Sequence, residues 1–130
     1  MTTVGWESFA ADVERLFPEI TPRLALIRPL WESEPIPAHI VLGDVVVPAL
    51  IGALDQRDSG LVARFSELLT SLAESADDRL SELVMVSFIE FVIGDRQLEA
   101  RLQPHLSAPL LSLVKQRRSW KPGNHVGFRP

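Results

Sequence analysis

Residues 80–93 read LSELVMVSFIEFVI, ten apolar residues in fourteen with neither Gly nor Pro. Wound as a helix, the stretch is apolar almost all round. Leu80, Leu83, Val84 and Phe91 share one side, and Met85, Phe88, Ile89 and Val92 cover another. A helix that keeps no polar face is sandwiched between others. A strand would suit a short apolar run equally well by pattern alone. Asp77-Asp78 before it and Gly94-Asp95 after it are helix start and stop signals and decide for the helix. Glu90 is its odd member, falling between Leu83 and Val86 with Ser87 one turn back. A carboxylate there needs a base, a hydrogen bond or solvent, because an unpaired buried charge costs several kcal/mol.

Working outward, Ser75–Asp78 is a short connector to a clean amphipathic helix, Leu61–Glu74. Leu61, Phe65, Leu68, Leu69 and Leu72 form its apolar side, and Arg64, Glu67, Ser71 and Glu74 its polar side. Two helices joined so tightly form an antiparallel hairpin. Upstream, Ala38–Arg57 is helical by length and composition, although Gly43 and Pro48 oppose a straight rod. The expectation is a kinked helix, or a short turn at His39–Gly43 and then a helix capped by Asp44. Val45-Val46-Val47 invites a strand, but no second β-rich run exists to pair with it. The apolar run Ile40–Leu54 holds Asp44 and Pro48 and falls short of the ~20 residues that span a bilayer, so it reads as a buried globular helix.

At the N-terminal end, Trp6, Phe9, Ala10, Val13, Leu16 and Phe17 make one helical stripe, closed by Pro18. Thr21-Pro22 looks like an N-cap and first helical residue. Pro29 should kink or shorten the helix that follows, and Ser33–Pro37 is a loop. Beyond Gly94, Asp95 caps Arg96–Leu102 and Ser107 caps a last helix. The architecture expected is all-α: six to seven helices in stacked antiparallel pairs, a short α-solenoid around residues 80–93. Residues 1–118 form one domain, and 119–130 form an irregular basic tail.

The chain of 130 residues suffices for one domain with a real core. It has no Cys, hence no disulfide, no thiolate nucleophile and no cysteine zinc site. No signal peptide is evident in MTTVGWESFAADVERLF, which makes a cytoplasmic location the default. Net charge is −4. All acids lie at or before Glu99, whereas Lys115, Arg117, Arg118, Lys121 and Arg129 crowd the tail. An acidic body disfavours phosphate backbones and would steer a cationic partner.

Leu61–Asp95 resembles a repeat of the HEAT type on the residues LLTSLAESADDRLSELVMVSFIEFV: a leucine-rich helix, an acidic turn at Asp77-Asp78 and a second helix opening on Leu80. Arg79 precedes that apolar residue, where the family places Arg after it. The resemblance implies helix pairing. Trp6–Phe17 with Pro22–Trp31, and Arg96–Leu102 with Ser107–Arg118, would be further pairs. The chain also looks like a family of small uncharacterised bacterial all-α proteins, on Phe17-Pro18-Glu19-Ile20-x-Pro22, His39…Gly43-Asp44 and Val86–Glu90. Some proteins of this size and style resemble immunity proteins of toxin systems.

Motifs for chemistry are sparse. His39, His105 and His125 lie far apart and form no metal-ligand spacing, and no phosphate-binding glycine loop occurs. Ser87, His39 and Asp44 can be written as a triad, but Ser87 sits inside a helix without the sharp turn that exposes a nucleophile. The preferred reading is therefore a non-catalytic protein-binding module of adaptor or immunity type. It needs no cofactor or metal and offers Glu67, Glu74, Asp77 and Asp78 to a protein partner, a cationic one by charge. The rival is a small enzyme or small-molecule binder with an interhelical pocket at His39, Asp44 and Glu90. A third reading, nucleic-acid binding by the tail through Trp120 and Phe128, runs against the acidic body. Trp31 and Trp120 read as packing anchors.

Overall fold

A computed structural model describes residues 4–31 and 35–119. All regular structure among them is helical. We number the helices α1 (Phe9–Leu16), α2 (Thr21–Ile27), α3 (Ala38–Asp55), α4 (Ser59–Ala73), α5 (78–93), α6 (Arg96–Leu102) and α7 (Ala108–Ser119). Short 3₁₀ turns precede α2 at Pro18–Ile20, follow it at Arg28–Trp31 and follow α6 at Gln103–His105.

The core is an up-down-up trio. α3 turns back into α4, α4 turns back into α5, and the middles of α3 and α5 meet. α2 leans on the middle of α3, α6 on the end of α5, and α7 on both α4 and α5. Buried side chains from all these helices merge in one cluster. The all-α class and the α4–α5 hairpin are as expected. The end helices differ: α2, α6 and α7 find their main supports in the central trio.

Both α3 and α5 contain a π turn, at Val41–Val46 and Met85–Ile89, and the two π turns pack against each other. Burial explains them. On an unbroken α-helix, at roughly 100° per residue, Ile89 would point about 180° away from Leu80. A π turn holds one residue more, which swings every later side chain back by about 100°. Phe88, Ile89 and Val92 then join Leu80, Leu83 and Val84 on one buried face. Phe91, grouped with Leu80 by the regular wheel, is instead 48% exposed, and Val86 is 55% exposed. The central helix is thus not covered all round. In α3 the same shift brings Val46, Val47 and Leu50 into line with Val41 and Leu42, all buried.

Capping differs from expectation at two places. Thr21 is the first helical residue of α2 rather than its cap, because the 3₁₀ turn feeds the helix directly. Asp44 is no cap either: α3 runs unbroken from Ala38, and Asp44 lies exposed within its π turn. Asp58, Asp77 and Asp95 do cap α4, α5 and α6, each accepting backbone N–H bonds. Ser107 accepts from the Leu110 N–H at the start of α7.

α3 is 18 residues long with mean hydropathy 1.7, enough by length and composition to cross a membrane, and longer than the run read from sequence. Val41, Leu42, Val45 and Val46 are wholly buried against the other helices, and 44% of α3 lies inside the fold. The tail beyond Ser119, with Trp120, His125 and Phe128, lies outside the described residues, as do Glu32, Ser33 and Glu34.

Candidate partner-binding surface

The outward face of α4 follows from its inward one. Val62, Phe65, Leu68, Leu69 and Leu72 are buried, so Glu67, Ser71 and Glu74, at i, i+4 and i+7, form a ridge in solvent. Glu74 sits at the helix C-cap. Grooves run along both flanks. One, of about 530 Å³, is lined by Leu16, Phe17, Arg64 and Leu68 together with the ridge residues. The other, of about 390 Å³, lies between the ridge and Pro104–Ser107.

The walls of both grooves are tied down. Arg64 pairs with Glu19 at 2.5 Å, donates to the Leu16 carbonyl at 2.9 Å and stacks over the Phe17 ring at 5.0 Å. Hydrogen bonding from Arg64 holds the Glu19 carboxyl below its ordinary value and raises the guanidinium in return. Across the second groove, the Ser66 hydroxyl donates to the His105 carbonyl at 2.7 Å. Thr70 Oγ1 donates to the Ser66 carbonyl at 2.8 Å, which leaves the Ser107 hydroxyl to donate to Thr70 Oγ1 at 2.8 Å. The sequence marks Ser107 only as a cap and does not single out Ser66 and Thr70. Their one visible signal is the i, i+4 spacing of Ser66 and Thr70 beside the polar stripe of α4.

Most acids are matched by arginine. Glu7 and Asp77 pair with Arg79, Asp12 with Arg15, Glu14 with Arg28, Asp55 with Arg101, Glu90 with Arg117 and Glu99 with Arg118. Among the described residues, Glu67, Glu74, Asp78, Glu82, Asp44, Asp58 and Asp95 have no such partner, although Asp58 and Asp95 accept backbone N–H bonds as helix caps. Of the five that cap no helix, four lie between residues 67 and 82.

Of the four acids expected to meet a partner, Glu67, Glu74 and Asp78 are exposed and unmatched. Asp77 is half-buried and engaged: it caps α5, and Arg79 grips it at 2.9 Å while also reaching Glu7 and the Trp6 ring. The Arg79 side chain, with its backbone N–H, keeps the Asp77 carboxyl below its usual range. Asp77 belongs to the scaffold that pins the N-terminal segment, and its charge is spent there.

Glu90 is exposed and meets Arg117 at 3.4 Å beside a groove of about 330 Å³ lined by Met85, Glu90, Gln116 and Arg117. Neither His39 nor Asp44 lines that groove. Both are exposed on α3. No group of three His, Asp or Glu side chains among the described residues gathers closely enough to hold a metal ion.

Fold and surface together define a small all-helical domain with an apolar three-helix core and an unmatched acidic face. Residues 10–121 match the model of a domain of unknown function, DUF7674, and the chain belongs to that family. No HEAT-repeat family is identified in it. No curated protein and no solved structure matches it.

Proposed function

We propose that this chain is a non-catalytic protein-binding module, of adaptor or immunity type, that presents an acidic helical face to a cationic protein in the cytoplasm. The observation carrying the reading is the distribution of unmatched charge. Apart from Asp44 and the capping Asp58 and Asp95, arginines satisfy the acids elsewhere, whereas Glu67, Glu74, Asp78 and Glu82 are left open along α4 and the start of α5. Unscreened charge of one sign speeds encounter with the opposite sign and costs the free protein little when it faces water. The α4–α5 hairpin, with its acidic turn, is also the part most like a HEAT unit, a fold that works through exposed helix faces. The same acids repel nucleic acid.

The rival reading, a small-molecule pocket at His39, Asp44 and Glu90, draws less support, because the groove beside Glu90 takes in neither of the other two.

The test is a photo-crosslinking residue at Ser71, used in native cells, followed by binding kinetics with the captured protein. Charge reversal at Glu67, Glu74, Asp78 and Glu82 together should slow association strongly and remove most of its salt dependence. A captured partner whose association rate ignores all four reversals would overturn the proposal.

A further inference from the structure

The unmatched charge on α4 has a spacing, and the spacing selects a shape. Glu67 and Glu74 are seven residues apart, which places them about 10.5 Å apart along one face of the helix. They rise from a ridge flanked by two grooves. A helix packs on another by setting its side-chain rows into such grooves, at an interaxial distance of about 8–10 Å. Arg64, which lines the first of these grooves, is held by Glu19, the Leu16 carbonyl and Phe17. The ridge therefore keeps its charge. The C-terminal end of α4, 15 residues of regular α-helix with no π turn, adds partial negative charge beside Glu74.

We infer that this ridge seats a basic helix of the partner, which lies along α4 and sets two Lys or Arg side chains, seven residues apart, over Glu67 and Glu74. The inference rests on the protein-binding reading and names the partner element that reading leaves open. The partner's small side chains fit over Ser71 between the two charges. Its flanking side chains enter the grooves, on one side against Leu16, Phe17 and Leu68, on the other against Pro104, His105 and Leu106. The hydroxyl links from α4 to His105 and Ser107 hold the second groove open in the free protein, so little ordering accompanies binding.

The test uses two alanine-based helical peptides of equal composition, one with Arg at i and i+7, the other with Arg at i and i+5. Each is titrated at low salt into the isotopically labelled full chain and followed by amide shifts. The i, i+7 peptide should give saturable shifts over residues 66–75 and 103–107 and bind about fivefold tighter, as two exposed charge pairs allow. In the Glu67→Gln/Glu74→Gln double variant that preference should vanish. Both residues are exposed and unmatched, so the fold survives, and the variant's own amide spectrum verifies it. Equal affinity for the two spacings, shifts centred elsewhere, or a preference retained in the double variant would each overturn the inference. If the crosslinked partner of the earlier experiment depends on Asp78 and Glu82 but not on Glu67 and Glu74, the binding-module reading stands and this assignment falls. Dependence on none of the four removes both.

Discussion

The ring of Phe17 lies flat against that of Phe65, with centroids 4.5 Å apart and planes 8° from parallel. Phe17 closes α1 and Phe65 is wholly buried in α4, so this pair fastens the N-terminal helix to the core. Arg64 lies over the same Phe17 ring. Phe17→Ala should cost about 3–5 kcal/mol, since it removes both the buried area and the stack. Arg64→Met keeps the aliphatic stem but loses an exposed ion pair, the bond to the Leu16 carbonyl and the cation over Phe17, and should cost about 1–2 kcal/mol. Urea melts check both. A Phe17→Ala loss below about 1 kcal/mol would show that α1 is not anchored there.

The acid side of the stability profile follows from three carboxylates. The Gly5 N–H and the Ser8 hydroxyl hold Asp12 low, and arginines do the same for Glu19 and Asp77. A carboxyl lowered in the folded state gives stability that is fully present above its unfolded value, near pH 4. That stability is lost as pH falls through the folded value, because the unfolded chain takes up the proton first. The melting temperature should therefore be flat from about pH 7 to pH 5 and fall below that. Asp12→Asn with Glu19→Gln should lower the plateau and flatten the fall. An unchanged slope in that variant would mean other groups govern acid unfolding.

The turn between α3 and α4 holds the one non-glycine residue with positive φ among those described, Arg57 at 57°. The Asp58 N–H reaches back to the Ala53 carbonyl and the Arg57 N–H to that of Leu54, a left-handed helix end usually given to glycine. An L-residue there costs roughly 1–2 kcal/mol in backbone strain. Arg57→Gly should recover about 0.5–1 kcal/mol of it, offset by the extra freedom of the unfolded chain. Arg57 is exposed, so no packing is lost. A lower melting temperature for the glycine variant would assign the arginine a role its surroundings do not reveal.

Much of this fold was legible from periodicity. The stripe of α4, the aspartates before α4, α5 and α6, and the apolar character of 80–93 all carry local signals. What periodicity could not carry is the phase. A wheel at constant pitch joins Phe91 to Leu80 and separates Ile89 from it, whereas one added residue in the turn reverses both. Nothing local marks such a turn, since what favours it is burial against the neighbouring helices, α3 among them. The unmatched acids were half legible: Glu67 and Glu74 follow from the polar stripe of α4. That Asp77 is neutralised depends on Arg79 folding back over Trp6 and Glu7, a tertiary event.

Buried and exposed members of α5 should respond in opposite ways. Phe88 is wholly buried, so Phe88→Ala should cost about 3–5 kcal/mol. Val86→Ala and Phe91→Ser act on side chains that are half in water and should stay within about 1 kcal/mol. Urea unfolding of the three variants gives the order directly. A larger loss at Phe91 than at Phe88 would mean that α5 follows the regular wheel after all.

The π turn makes a sharper demand, because the residue it adds can be taken away. Deleting Val86 from Met85–Ile89 leaves one regular α-helix in which Phe88, Ile89 and Val92 still point to the side of Leu80 and Val84. The deleted side chain is itself 55% exposed, so no core volume goes with it. The ΔVal86 chain should therefore still unfold cooperatively, with its midpoint within a few degrees of the parent. Deleting exposed Ala63 from α4, which has no π turn, is the contrasting case. That deletion rotates Phe65, Leu68, Leu69 and Leu72 by about 100° out of the core and should abolish cooperative unfolding. Thermal melts of the two deletions decide the matter: if ΔVal86 collapses as ΔAla63 does, the added residue is not where the phase of α5 is set.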